Sequence, residues 1–293
     1  MHKQNKAYLF GLAAVLMWST VATAFKLALR EMTPIQLLEI SGVFSWVFLS
    51  LVLVTTKQYR LIPEYNKKQI TQQLLLGLLN PLLYYWVLFA AYHLLPAQEA
   101  QALNYTWAIT LMLLSVPVLG HKITPKDIFS SVLAYLGILI IATHGDVLSF
   151  QFKQPMGVIL ALSSTLIWSM FWLWNTKSSL SPVLGLWLNF TGALPVFLYL
   201  IFSSPEIWSI SARGFYGAIY VGLFEMGIAF VCWLSAMKLT QDTSKISLMI
   251  FLSPPFSLIF IWFFLGETIQ KSTLVGLGLI LTALIFQRNH KPD

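Results

Sequence analysis

Apolar residues run along this chain in long blocks, each closed by a short polar or proline-bearing break. A block of about 20 such residues crosses the hydrocarbon core of a bilayer as a helix. Ten blocks are predicted, at residues 7–28, 34–55, 70–92, 97–117, 124–143, 155–176, 182–202, 212–237, 243–264 and 270–287. Pro34, Pro63, Pro96, Pro125, Pro155, Pro182 and Pro205 fall at or near their ends, where a missing backbone donor costs least. The longest connection, about residues 56–69, is too short for a soluble domain. The predicted fold class is an all-α polytopic membrane protein of ten transmembrane helices.

Composition agrees. Of 293 residues, 57% are hydrophobic and 10% charged, and mean hydropathy is +0.74, whereas a soluble domain carries about a quarter charged residues. A single cysteine, Cys232, excludes an internal disulfide framework and a CxxC metal or redox pair. The first block follows Lys3 and Lys6 and contains Ala22-Thr23-Ala24, so it imitates a cleaved secretory signal. Its Trp18-Ser19 returns as Trp168-Ser169 in block six. A discarded leader has no reason to resemble an internal helix, and the block is kept as a span.

The pI of about 9.4 invites a nucleic-acid reading until the cations are mapped. With the N-terminus cytoplasmic, the inner segments hold Lys3, Lys6, Lys57, Arg60, Lys67, Lys68, Lys122, Lys126, Lys177, Lys238, Lys245, Arg288 and Lys291. The outer side keeps Lys26, Arg30, Lys153, Arg213 and Lys271. This is the bias of a multi-pass inner-membrane protein with both termini inside. The basic excess records topology, and no nucleic-acid partner is expected.

The two halves, 1–146 and 147–293, look like copies. Beyond the Trp-Ser pair, Gly77-Leu78 aligns with Gly222-Leu223 and Ala91 with Ala236. With one insertion, Leu119-Gly120-x-x-Ile123 lands on Leu265-Gly266-x-x-Ile269. Five spans is an odd number, so the second copy enters from the opposite side. Inverted repeats are a recurrent plan of secondary transporters, with the site near the midplane between them.

Trp18-Ser19-Thr20, Leu-Gly-Glu-Thr-Ile at 265–269 and Pro254 within span nine together resemble the ten-helix, EamA-type members of the drug/metabolite transporter superfamily. Asn104-Tyr105-Thr106-Trp107 is similar to the Asn-Tyr-x-Trp of that superfamily's aromatic amino-acid exporter branch, with Ala108 where that branch has proline. The resemblance implies a central cavity lined mainly by spans one, three, four, six, eight and nine.

Polar residues at depth are the candidate site. Charge inside a bilayer is costly and usually faces a cavity or partner. Glu225 lies near the middle of span eight, and the repeat register sets Asn80, followed by Pro81, opposite it. Glu225 is expected to meet a substrate ammonium or other cation, or to carry a coupled proton; a protonated carboxyl bonded to a neighbouring helix is the alternative. Tyr84, four residues after Asn80, joins the expected lining. So do Asn104 and Trp107, three apart on one helix face with Tyr105 pointing elsewhere, and Trp18 and Trp168 at equivalent repeat positions. Lys26 and Glu39, near the outer boundary, are expected to form an ion pair or gate. Pro81 and Pro254-Pro255 mark hinges or fixed kinks. Trp46, Trp86, Trp208 and Trp262 are assigned to interfacial or lipid-facing surface. Leu136-Gly137 and Gly276-x-Gly278 are assigned to close helix packing.

No HExxH, GxSxG or Walker A run occurs, and no cofactor or metal set is expected. The predicted partners are a small-molecule substrate and the bilayer, with protons the candidate coupling ion and a monomer or homodimer both open. The predicted function is export of a small metabolite, an amino acid or related compound, by alternating access. Within the family the alternative is a cationic or lipophilic drug exporter; outside transport it is a polytopic intramembrane enzyme.

Overall fold

Proline and capping residues set where the helices begin. The Thr33, Asn66 and Thr124 side chains each accept from the backbone N–H three residues on. Gln36, Gln69 and Asp127 in turn accept from the capping residue's own N–H at 2.9 Å, which satisfies two orphan donors per helix start. The computed structural model describes residues 3–120, 124–148, 153–175, 177–204, 206, 209–240, 246 and 249–288. The expectations placed on Lys122, Ile123, Pro205, Trp208, Lys245 and Lys291 lie outside the described residues.

The described residues are helical, with no strand among them. In chain order the helices are α1 (Lys3–Ala28), α2 (Pro34–Thr55), α3 (Lys67–Leu94), α4 (Ala97–Asn104 and Trp107–Leu119) and α5 (Pro125–Ala142), followed by α6 (Pro155–Asn175), α7 (Pro182–Ser203), α8 (Ala212–Leu239), α9 (Ile250–Leu265) and α10 (Lys271–Arg288). Seven of them, α1 to α3 and α5 to α8, are long and apolar enough to cross a bilayer. α4 is interrupted at Tyr105-Thr106, and α9 and the apolar part of α10 are shorter. The expected ten spans thus correspond to seven long helices and three shorter or broken ones.

Helix pairing follows one rule. α1 packs on α8 and α9, as α6 packs on α3 and α4; α2 packs on α7 and α8, as α7 packs on α2 and α3; α5 packs on α10. Exchanging each helix for the one five places away leaves this list unchanged. Glycines permit the closest approaches. A Cβ at Gly77 would collide with the Asn189 carbonyl of α7, and one at Gly222 with the Ser41 carbonyl of α2. Gly137 and Gly276 meet back to back between α5 and α10, whereas Gly278 faces open space.

Two helices change winding in their middle, and α9 ends in π-type turns at Ile261–Leu265. In α3, residues Leu78–Leu83 bulge around Asn80, whose φ of −142° and ψ of 117° are extended, not helical. In α8, residues Val221–Ile228 wind in wide π-type turns, a deviation frequent at functional sites. Pro81 sits in the first of these. Pro254 and Pro255 open a helical segment after the tight turn Ile250–Leu252, a position where proline is tolerated.

Phe25, Tyr85, Phe89, Phe190 and Phe197 are fully buried in the core, while Trp86, Trp262, Phe202 and Phe263 stand exposed on the outer faces. Trp46 departs from the expected lipid-facing role: its indole Nε1 donates to Thr191 Oγ1 at 3.0 Å, tying α2 to α7. A buried indole N–H needs such a partner.

Candidate functional site

Where α1, α3, α4, α6, α8 and α9 converge they enclose a cavity of about 370 Å³. All six helices implied by the resemblance contribute to it. Its wall is aromatic. Trp168 of α6 is the hub, with ring centroids 4.6 Å from Tyr84, 5.8 Å from Phe171, 5.9 Å from Trp172, 6.1 Å from Phe230 and 6.5 Å from Trp107. Trp18 of α1 meets Phe230 and Trp233 of α8 at 5.6 and 5.4 Å. Such edge-on and tilted contacts are each worth about 0.5–1.5 kcal/mol beyond area.

Polar bonds fix α4 against α6 beneath this wall. Asn104 Nδ2 donates to Ser164 Oγ at 3.0 Å, Ser169 Oγ donates to the Trp107 carbonyl at 3.0 Å, and the Thr110 and Thr165 hydroxyls lie 3.1 Å apart. Asn104 therefore serves both interhelical packing and the lining. Tyr105 does not point elsewhere. The chain leaves the α-helix at Tyr105-Thr106, so Asn104, Tyr105 and Trp107 all reach the cavity.

Glu225 is the single charged side chain among the lining residues. Tyr85 donates its hydroxyl to Glu225 Oε1 at 3.1 Å, while Oε2 is buried without a hydrogen-bond partner. One oxygen is thus held and oriented, and the other has no hydrogen-bond partner among the described residues. Asn80 does not share this site: it is 2% exposed, its Oδ1 has no partner, and it does not line the cavity. The extended backbone at Asn80 breaks the i, i+4 relation with Tyr84, which reaches the cavity on its own account.

The expected Lys26–Glu39 pair is not formed. Lys26 Nζ donates to the Tyr92 and Leu95 carbonyls, both at 2.7 Å, because the end of α3 presents unsatisfied carbonyls within its reach. Glu39 is fully buried in α2 with neither oxygen hydrogen-bonded. Lys26 belongs to a polar layer that closes the end of the bundle where α1 finishes, here called the distal end. Glu267 Oε1 accepts from the Ala97 N–H at 3.0 Å and its Oε2 accepts from the Gln98 N–H at 3.4 Å. Gln98 bonds the Thr268 carbonyl and the Gln270 N–H at 3.0 and 2.9 Å. Buried Glu99 lies 3.1 Å from His144 Nε2, close enough for charge contact but not aligned as a hydrogen bond.

Sequence reasoning missed Tyr105, Trp172 and Trp233 in the lining, Tyr85 as the partner of Glu225, and Glu99 and Glu267 in the distal layer. Glu267 had a signal, since it lies in the Leu-Gly-Glu-Thr-Ile run. Tyr85 had none, because helix spacing does not carry across the bulge before it.

A sequence profile of the EamA-like transporter family matches this chain twice, at residues 5–143 and 155–287. An aromatic amino acid exporter, YddG, of Ancylobacter novellus is 24% identical over 53% of this chain, an alignment spanning 54% of that exporter's own length. An uncharacterized transporter of Clostridium kluyveri is 22% identical over 96% of this chain and 92% of its own. The uncharacterized transporter YvbV of Bacillus subtilis is 23% identical over 92% and 87%. A solved crystal structure superposes with a TM-score of 0.64 at 19% identity, covering 98% of this chain and 99% of that one. That match speaks to the fold alone.

Proposed function

The chain belongs to the EamA-like transporter family, and from that premise we propose that it is a secondary carrier exporting a small amine-bearing metabolite with an aromatic or apolar body. An amino acid of that kind is the first substrate class. One observation carries the reading: Glu225, with one carboxyl oxygen left without a hydrogen-bond partner, lines a cavity whose wall includes Trp18, Trp107, Trp168, Trp172 and Trp233. An ammonium at that oxygen gains a charge-assisted hydrogen bond, and indole faces add cation–π attraction. The apolar body then replaces water against the rings. The relative named as an aromatic amino acid exporter fits the same chemistry.

A second reading has its own support. No lining residue is cationic, so the carboxylate of an amino acid finds no charged partner there. That favours organic cations without a carboxylate, the drug-exporter alternative. An enzyme reading gains nothing from this cavity, since acid–base chemistry by paired carboxyls needs a second one beside Glu225.

The halves 1–146 and 147–293 are proposed to be inverted repeats. The double profile match and the exchange symmetry of the helix contacts support this, as does the placement of Asn80 and Glu225 in the two rewound segments. Rocking of one half against the other then opens the distal layer or the opposite end in turn. Cation placement along the sequence supports an inner-membrane orientation with both termini cytoplasmic.

Proteoliposome uptake tests the reading with matched pairs: tryptophan against tryptamine and phenylalanine against phenethylamine, with and without a pH gradient. Transport of the amino acids supports the first class, and transport of the amines alone supports the second. Glu225→Gln is expected to raise KM for either by about 30-fold or more, since breaking a buried charge pair costs about 2–5 kcal/mol. If neither member of a pair moves, or if Glu225→Gln leaves flux and its pH dependence unchanged, the assignment fails.

A further inference from the structure

A second concavity, about 640 Å³ in volume, lies on the flank of the bundle, away from the central cavity, between α1, α8 and α9 near the distal end. Its walls are apolar and outward-facing: Leu27, Tyr216 and Phe264 are 39%, 68% and 56% exposed. In a membrane protein such surface meets acyl chains. Thr23 lines the same groove and is 5% exposed, and its buried hydroxyl has no hydrogen-bond partner among the described residues.

The rim carries the charge. Arg30 lies two residues past the end of α1, and Arg213 is the second residue of α8. These two helix ends are in contact, for a Cβ at Gly214 would lie 2.9 Å from the Glu31 side chain. Both arginines line the groove, and neither forms an ion pair among the described residues. Glu31 shares the rim, but its Oε2 accepts from Ser211 Oγ at 2.6 Å. Two guanidinium groups against one engaged carboxylate leave the rim positive. Guanidinium forks match phosphate oxygens two bonds at a time.

We propose that this groove binds one anionic phospholipid. The phosphate sits between Arg30 and Arg213, and an acyl chain runs down the wall formed by Leu27, Tyr216 and Phe264. A soluble anion has no use for the apolar wall, and a neutral headgroup gains less from the positive rim. The site is independent of the substrate cavity. It bridges α1 and α8, two helices that both line that cavity.

The test uses the full chain reconstituted in equal parts phosphatidylglycerol and phosphatidylcholine, extracted into neutral detergent and weighed intact by native mass spectrometry. The expected result is one retained phosphatidylglycerol, enriched about tenfold over phosphatidylcholine. Arg30→Ala with Arg213→Ala is expected to bring the ratio near parity. Arg30→Lys with Arg213→Lys keeps most of it. Replacing Arg60 and Lys67, which lie at the opposite end, leaves it unchanged. Ala24→Leu narrows the groove without touching charge and is expected to abolish retention of either lipid, so the proposal stays testable if the arginine variant does not fold. Equal retention of both lipids by the unaltered chain, wild-type enrichment in the double variant or in Ala24→Leu, or displacement of the lipid by millimolar inorganic phosphate overturns it.

Discussion

Glu267 stands outside α4 yet completes its first turn. Pro96, the residue before that turn, offers no side-chain cap, so the Ala97 and Gln98 N–H groups have only the Glu267 carboxylate. Because Glu267 comes from the α9–α10 connection, this bond also joins the halves at the distal end. Glu267→Ala removes it. A hydrogen bond to a charged group contributes about 1.5–3 kcal/mol and a lost cap costs about 0.5–2 kcal/mol. Here only one contact is as short as 3.0 Å and two are 3.4 Å, and the half-buried carboxylate is partly screened by water. About 1.5 kcal/mol is therefore the working figure, or roughly tenfold in an equilibrium.

That tenfold is expected in how often the distal end opens. Gln101 lines the cavity on the distal segment of α4, so Gln101→Cys reports opening in a Cys232→Ser background. With a membrane-impermeant maleimide applied from the distal side, Glu267→Ala is expected to raise the labelling rate about tenfold. Glu267→Gln keeps an acceptor without the charge and should raise it roughly two- to threefold. Equal rates in all three proteins, or acceleration only from the opposite side, would show that Glu267 does not hold this end shut.

The remaining expectations concern the wall, the held carboxylate and the distal histidine. Trp168→Ala should lower stability by about 3–5 kcal/mol and reduce ligand-induced tryptophan quenching, whereas Trp168→Phe should cost about half as much; a melting temperature unchanged by either substitution contradicts the hub role. Tyr85→Phe should raise KM by roughly tenfold or more, the worth of one hydrogen bond to a charge at about 1.5 kcal/mol or above, and should add almost nothing in a Glu225→Gln background. Additive effects in that cycle would mean that Tyr85 acts elsewhere. His144 lies outside the spans, and burial, then the nearby Lys153 charge, lowers its pKa from the usual 6.5. The unfolded chain then binds more protons in the window just below 6.5, so stability falls as pH drops through it and is level above it. His144→Gln should flatten that slope in melts between pH 5 and 8, and an identical slope in the variant removes His144 as its source.

The sequence pattern carries the spans because a bilayer punishes each polar residue it meets, so a run of apolar residues is nearly unambiguous. The same reasoning located Glu225, Trp18, Trp107 and Trp168, all of which line one cavity. It failed where backbone geometry departs from 3.6 residues per turn. The extended Asn80 withdrew that residue from the site, and the break at Tyr105-Thr106 brought Tyr105 in; neither is a matter of spacing. Lys26 went to the Tyr92 and Leu95 carbonyls instead of Glu39 because a helix end offers acceptors that sequence distance does not reveal. Glu99, close to the start of span four, is 2% exposed, with His144 from beyond the end of α5 3.1 Å away.

If the chain is the carrier proposed above, the two rewound segments place its site and its moving parts together. Regular α-helices bury their backbone groups and pass side chains at fixed angles, which suits static walls. Widened turns at Val221–Ile228 and the bulge at Leu78–Leu83 loosen that constraint at matching depths of α8 and α3. The direct polar link between these helices near the cavity is Tyr85 to Glu225, one partner immediately after the bulge and the other inside the wide turns. A ligand that engages the free oxygen of Glu225 therefore acts on the joint between α3 and α8. Binding can shift the balance between conformations only by its difference in affinity for them, and a carboxylate whose second oxygen is already tied to the opposite half is a place where that difference arises. An ammonium at Glu225 that pulls the carboxylate from Tyr85 loosens the joint; one that leaves the bond intact strengthens it, and in both cases occupancy of the cavity is transmitted to the packing between the halves.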